Sequence, residues 1–264
     1  MSEKSPRIAV LIDSDNVSAE HIANILVELT RYGTTSVRRM YGDFTTDQLR
    51  GWKAAANEHS IQPIQQFSYT TGKNATDSAL IIDAMDLLHQ NQLDAFALVS
   101  SDSDFTRLAA RLRESGARVF GFGDRKTPKP FVSACDTFTY FDALQVDASS
   151  TDSPEPAMAR AESGSDAEGT VSAPARLPAK DLRQDTRLMN LLRAGIAAVA
   201  DDDGWAHLSG VGSTIQKQSP DFDSRNWGYA KLGDLIEAVG LFEVERVKRN
   251  NGSTNVQVRV PKKK

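Results

Sequence analysis

The sequence predicts a three-layer α/β/α domain with a mostly parallel sheet, followed by a small winged helix-turn-helix domain. Three observations carry that expectation. Two short apolar runs, RIAVLI at 7–12 and AFALV at 95–99, have the length and character of strands buried on both faces of a parallel sheet. Each run stops at a Ser/Asp-rich turn and gives way to apolar residues at helical spacing, the alternation expected of βαβ units. The last eighty or so residues read instead as three helices and a hairpin.

Element by element, the first run ends in Asp13-Ser14-Asp15-Asn16, and Ser18 is placed to cap a helix whose apolar face is Ile22, Ile25, Leu26 and Leu29. Gly33 closes it. Residues 35–44 are β-rich, 47–58 suit a second helix, and 61–67 form a strand that Pro63 confines to a sheet edge. A polar loop, 69–74, leads into a helix over 75–88 with Leu80, Ile81, Ala84, Leu87 and Leu88 on one face and Asp77 in its first turn. After the second apolar run, Ser100-Ser101-Asp102-Ser103-Asp104 turns into a helix marked by Phe105, Leu108, Ala109 and Leu112. A strand over 117–122, a short helix or turn over 131–135 and a strand over 137–141 complete the layer structure. The runs that end at Asp13 and before Asp102 should be neighbours, their carboxyl ends sharing one crevice.

From 147 to 180 the chain is Ser, Ala, Pro, Gly, Asp and Glu with few large apolar residues, the composition of a flexible linker. The expected division is therefore 1–146, a linker over 147–180, and 181–264. In the last part, helices are expected over 182–199, up to Gln218, and over 229–239. Two alternating strands, 241–247 and 254–260, flank Asn250-Asn251-Gly252-Ser253.

Composition narrows the function. The chain has 264 residues, 40% of them hydrophobic and 25% charged, and a formal net charge of −4. No apolar run approaches the ~20 residues that span a bilayer. The start, MSEKSPRIAVLID, does not read as a signal peptide. The single cysteine, Cys135, excludes intrachain disulfides and cysteine-rich zinc sites and reads as a small buried residue. A reducing cytoplasm is the expected setting. Positive charge gathers late, in Arg246, Lys248, Arg249, Arg259 and Lys262 to Lys264, making the C-terminal part the better candidate for a polyanion.

Asp13, Asp77, Asp102 and Asp104 carry the chemistry. Strand ends and a helix start can bring all four into one cleft, and four like charges are costly unless a divalent cation sits among them. An all-oxygen, carboxylate-rich set suits Mg²⁺ or Mn²⁺, which activates water and steadies charge on a phosphoryl oxygen. Asn16 is placed to orient water or phosphate, Lys73 to neutralise a phosphate at the rim, and Ser101 to hydrogen-bond a ligand carboxylate.

The segments Ile12-Asp13-Ser14-Asp15-Asn16, Gly72-Lys73-Asn74-Ala75-Thr76-Asp77 and Val99-Ser100-Ser101-Asp102-Ser103-Asp104-Phe105 resemble, in order, the NYN domain of the PIN-like nucleases. The resemblance spans roughly 7–142 and implies a Rossmann-like (PIN-like) fold and a metal-dependent endoribonuclease. On it Asp13, Asn16, Asp77, Asp102 and Asp104 take the family's site positions, with Asp83 in support. Ser101 departs from the glycine many relatives carry there. Gly204-Trp205-Ala206-His207-Leu208 and the stretch from Gly228 to Ile236 resemble the OST-HTH/LOTUS module, which implies RNA binding and in some members a protein partner. Trp205, Tyr229 and Leu232 are expected in its core, and Lys217, Arg225, Lys231 and the basic hairpin on phosphates.

Two rival readings remain at the sequence level. Asp13-Ser-Asp15-Asn-Val17 also fits the opening of a haloacid-dehalogenase-like phosphatase, with Asp13 as nucleophile and Ser100 or Ser101 and Lys126 in the remaining roles. That assignment leaves Asp77 and Asp102 without work. The other is a catalytically silent cleft that binds RNA or a protein.

Overall fold

The computed structural model describes residues 5–67, 75–90, 92–144, 176–248 and 254–261. These cluster into two compact units: Met1–Phe141 with Ser209–Asp223, and Asp142–Leu208 with Ser224–Lys264. The expected linker lies mostly outside the described residues, and the segment 209–223 groups with the first unit rather than the second.

The first unit is built on six strands: β1 (Arg7–Asp13), β2 (Thr34–Gly42), β3 (Gln62–Gln65), β4 (Ala95–Val99), β5 (Arg118–Gly123) and β6 (Thr137–Tyr140). Their order is β3-β2-β1-β4-β5-β6, and every pairing is parallel. Helices α1 (Ile22–Leu29), α2 (Arg50–Glu58), α3 (Ala75–His89), α4 (Thr106–Glu114) and α5 (Lys129–Ala134) connect them. Ile8 through Ile12 are all 0% exposed, as a central strand covered on both faces must be. β1 and β4 are hydrogen-bonded neighbours, Ile12 opposite Val99. Strand order reverses between these two, so the crevice past Asp13 and Val99 is the topological switch point of the sheet, where open α/β sheets bind ligands. Pro63 sits on the edge strand β3, where its missing N–H costs no ladder bond.

Leu80, Ala84 and Leu87 of α3, with Phe105, Leu108, Ala109 and Leu112 at α4, pack on one face of the sheet around Leu11, Phe96 and Leu98. Cys135 is buried in the same core, and burial pushes its thiol up to about 12.

Several expected elements differ. Ser18 has cap geometry but makes no side-chain cap bond, and a 3₁₀ turn, Ala19–His21, precedes α1. The helix expected over 47–58 begins as a 3₁₀ turn, Asp47–Leu49. The helix expected over 182–199 is two, α6 (Ala179–Gln184) and α7 (Thr186–Val199). Asp185 breaks it: its backbone is extended, and its carboxylate accepts the Leu188 N–H at 2.9 Å and the Trp227 indole N–H at 2.9 Å.

Farther along the chain come β7 (Ala206–His207), α8 (Leu208–Gln218), which groups almost wholly with the first unit, and, in the second, α9 (Leu232–Val239), β8 (Glu243–Lys248) and β9 (Thr254–Arg259). Sheet order is β7-β9-β8, antiparallel, the small sheet of a winged helix. α9 starts at Leu232 rather than 229 and ends on Gly240, whose φ of +64° a side chain would strain. Tyr229 is buried, its hydroxyl donating to the Leu177 carbonyl at 2.8 Å; Trp205 and Leu232 are half-buried.

Candidate functional site

The crevice is assembled from three pieces of chain. β1 delivers Asp13 at its last residue, the turn after β4 delivers Ser100 to Asp104, and the first turn of α3 delivers Asp77. Oxygens of Asp77, Asp102 and Asp104 lie within 4.8 Å of one another. Asp13 falls outside that trio and is 0% exposed. Its charge is nonetheless the strongest of the like charges that act on Asp77.

Ser100 ties the strand ends together. Its hydroxyl donates to Asp13 Oδ2 at 2.7 Å and accepts the Asp102 N–H at 3.1 Å. Asn16 donates to the same Asp13 oxygen at 2.9 Å. Asp13 Oδ1 is buried and has no hydrogen-bond partner among the described residues. An ionised oxygen in that state is costly, and the position calls for a cation or a proton. Asp102 caps the following turn, Oδ1 accepting the Asp104 N–H at 3.0 Å. Asp15 stands beside them, accepting from the Thr76 hydroxyl at 2.8 Å and the Asp43 N–H at 3.4 Å. Gly42 permits this approach: a Cβ there would lie 3.0 Å from Asp15 Oδ1 and 2.9 Å from Leu49 Cδ1.

Electrostatics follow from the crowding. Burial, then the charges of Asp13, Asp102, Asp104 and Asp15, push the Asp77 carboxyl up to about 6. Burial also raises Asp13, countered by the bonds from Asn16 and Ser100 and reinforced by Asp15 and Asp102. A hard divalent cation fits this set: all donors are carboxylate oxygen, one of them orphaned, and their mutual repulsion is relieved by positive charge.

Two expected site residues take other roles. Ser101 turns away from the acids and accepts the Asp124 N–H at 2.8 Å; Ser100 is the serine on the carboxylate. Arg225 is 3% exposed and cannot present its guanidinium to a phosphate. Lys217 and Lys231 are exposed as expected, and Lys73 lies outside the described residues. The hairpin is less basic than it reads. Arg246 pairs with Glu237 at 2.7 Å, and Arg259 with Glu243 at 2.7 Å while stacking over Trp205. Lys126, wanted by the phosphatase reading, pairs with Asp124 at 3.7 Å.

Ser100 and Asp15, which the sequence pattern offered only to the phosphatase reading, are the residues it did not assign to the acidic crevice. A serine at the end of a buried strand, level with an acid ending its neighbour, is the signal that locates the first.

The profile of the NYN domain matches residues 7–145, and that of the OST-HTH/LOTUS domain matches residues 183–254. No curated protein matches the sequence. Among solved structures, a protein of unknown function from Vibrio parahaemolyticus is 18% identical over 53% of this chain and 95% of that one, with a TM-score of 0.45. An NMR structure of a Chromobacterium violaceum protein, residues 175–257, is 34% identical over 28% of this chain and 78% of that one, TM-score 0.24. An uncharacterized protein from Nitrosomonas europaea is 29% identical over 41% of this chain and 95% of that one, TM-score 0.26.

Proposed function

The chain belongs to the NYN domain family and carries an OST-HTH/LOTUS domain after it, and from that premise we propose that it is a divalent-metal-dependent endoribonuclease. The division of labour is a nuclease domain over 1–146 and an RNA-binding domain over 181–264. The observation that carries the reading is the carboxylate trio of Asp77, Asp102 and Asp104 beside the orphaned oxygen of Asp13, at the switch point of the sheet.

Asp77, Asp102, Asp104 and Asp13 would hold Mg²⁺ or Mn²⁺, which supplies an activated water and charge stabilisation at the phosphodiester. The chain's own residues do the arranging. Ser100 and Asn16 hold one oxygen of Asp13 and leave the other uncommitted. The Asp102 cap fixes the turn that presents Asp104. Lys217 and Lys231 are the phosphate contacts of the C-terminal part of the chain, and Lys73, four residues before Asp77 in sequence, is a further one. A tethered RNA-binding domain raises the local concentration of substrate at the crevice.

The test is incubation of end-labelled single-stranded RNA with Mg²⁺ or Mn²⁺, comparing wild type with Asp13→Asn. Metal-dependent cleavage by wild type alone supports the reading. Equal cleavage by both identifies a contaminant, and RNA binding with no cleavage makes the protein a silent binding module.

A further inference from the structure

Asp77 is useful only where α3 puts it, and α3 is held by more than apolar packing. Farther along the helix, Asp83 accepts hydrogen bonds from the Tyr41 hydroxyl and the Arg39 guanidinium. Both donors come from β2, two positions apart and so on one face of the strand. Tyr41 is 0% exposed, and the side chains of Arg39 and Asp83 are only 26% and 22% exposed.

Tyr41 also faces the other half of the site. It lies opposite Asp13 in the β1–β2 register, and its carbonyl accepts the Ser14 N–H at 2.9 Å. One residue therefore grips the strand end carrying Asp13 through its main chain and the helix carrying Asp77 through its side chain. Apolar side chains would dock a helix at least as stably, because a partly buried ion pair must offset its own desolvation. Arg39 Nε is moreover buried without a partner among the described residues. What such a network adds is direction: a hydrogen-bonded phenol and guanidinium fix the position of a helix along the sheet, which sliding apolar contacts do not.

We propose that Arg39, Tyr41 and Asp83 are positioning residues that set the placement of Asp77 against Asp13, and so the affinity of the crevice for its cation. This rests on the metal reading above. The readout is Mn²⁺ binding to the full chain, followed by the loss of the free-ion paramagnetic resonance signal, with folding checked by circular dichroism. Tyr41→Phe removes one hydroxyl, and Asp83→Asn removes the charge that Arg39 meets. Each weakens Mn²⁺ binding about tenfold, the scale of lost support behind metal ligands. Arg113→Ala, which breaks the 3.0 Å Arg113–Asp136 bridge elsewhere in the same fold, is the structural control and leaves Mn²⁺ affinity unchanged. Should Asp83→Asn fail to fold, Tyr41→Phe decides alone. Folded variants that bind Mn²⁺ as tightly as wild type overturn the clamp and leave the metal reading standing. No Mn²⁺ binding by wild type overturns both.

Discussion

The acidic crevice and the C-terminal strand pair treat charge in opposite ways. In the crevice, Asp77 has Asp13, Asp102, Asp104 and Asp15 acting on it, and all of them disfavour its ionised form. In the strand pair, Arg246 meets Glu237 and Arg259 meets Glu243, so charges that look available in sequence are spent on neighbours. Paired surface charges are nearly neutral for stability. Crowded, partly buried like charges are not, and a fold that keeps them gives up stability to hold a site. The contrast separates the two regions: uncompensated charge marks the chemistry, and compensated charge marks the scaffold.

The contrast breaks first, if it breaks, at Asp13. Replacing it with Asn should cut metal-dependent RNA cleavage by about 10²–10³, read as initial rates at saturating Mg²⁺. The same change removes a buried charge with an orphaned oxygen, so the metal-free variant should melt higher than wild type. A cation should reverse that order. At a hundred times its dissociation constant it adds about 2.7 kcal/mol to wild-type stability, and much less to Asp77→Asn.

Asp77 also sets a pH dependence. Unfolded, it titrates at the ordinary 3.8; folded, at about 6, so between those values the native state binds the extra proton. Metal-free stability from this group is therefore fully present below the lower value and is lost as pH rises through the upper one. Metal affinity runs the other way, rising with pH as the ligand deprotonates. Urea titrations of wild type and Asp77→Asn across this range should show the decline in wild type and flatten it in the variant.

The basic residues sharpen the other side. Arg225→Ala, at a 3% exposed position, should cost about 1–3 kcal/mol of stability by stranding buried partners, with no change in the salt dependence of RNA binding. Lys217→Ala and Lys231→Ala should each reduce the slope of log affinity against log salt by about 1 and leave the melting temperature alone. Arg246→Ala, already paired, should have the smallest effect on RNA affinity.

Much of this was legible in the chain because burial on both faces leaves a plain signature. Residues 8–12 and 95–99 are apolar throughout, and nothing but adjacent central strands uses them well. The acids at their ends follow directly. What stayed hidden depends on side-chain direction. Ser100 and Ser101 are the same residue type one position apart, yet alternation sends one to Asp13 and the other to Asp124. Arg225 reads as a surface cation until the fold buries it, and Arg246 until Glu237 is brought beside it. The break at Asp185 escaped because apolar periodicity runs on from Leu182 to Val199 across it; only the carboxylate's two hydrogen bonds reveal the cap. Charge type is written in sequence, whereas charge pairing is a tertiary fact.

The most direct measurement is a crystal structure grown with Mn²⁺, its ion located by anomalous scattering. Density bound by carboxylate oxygens of Asp77, Asp102 and Asp104, with Asp13 turned toward it, is the expected result. A crevice without an anomalous peak at millimolar Mn²⁺, in crystals whose protein is otherwise ordered, would contradict a cation-holding site.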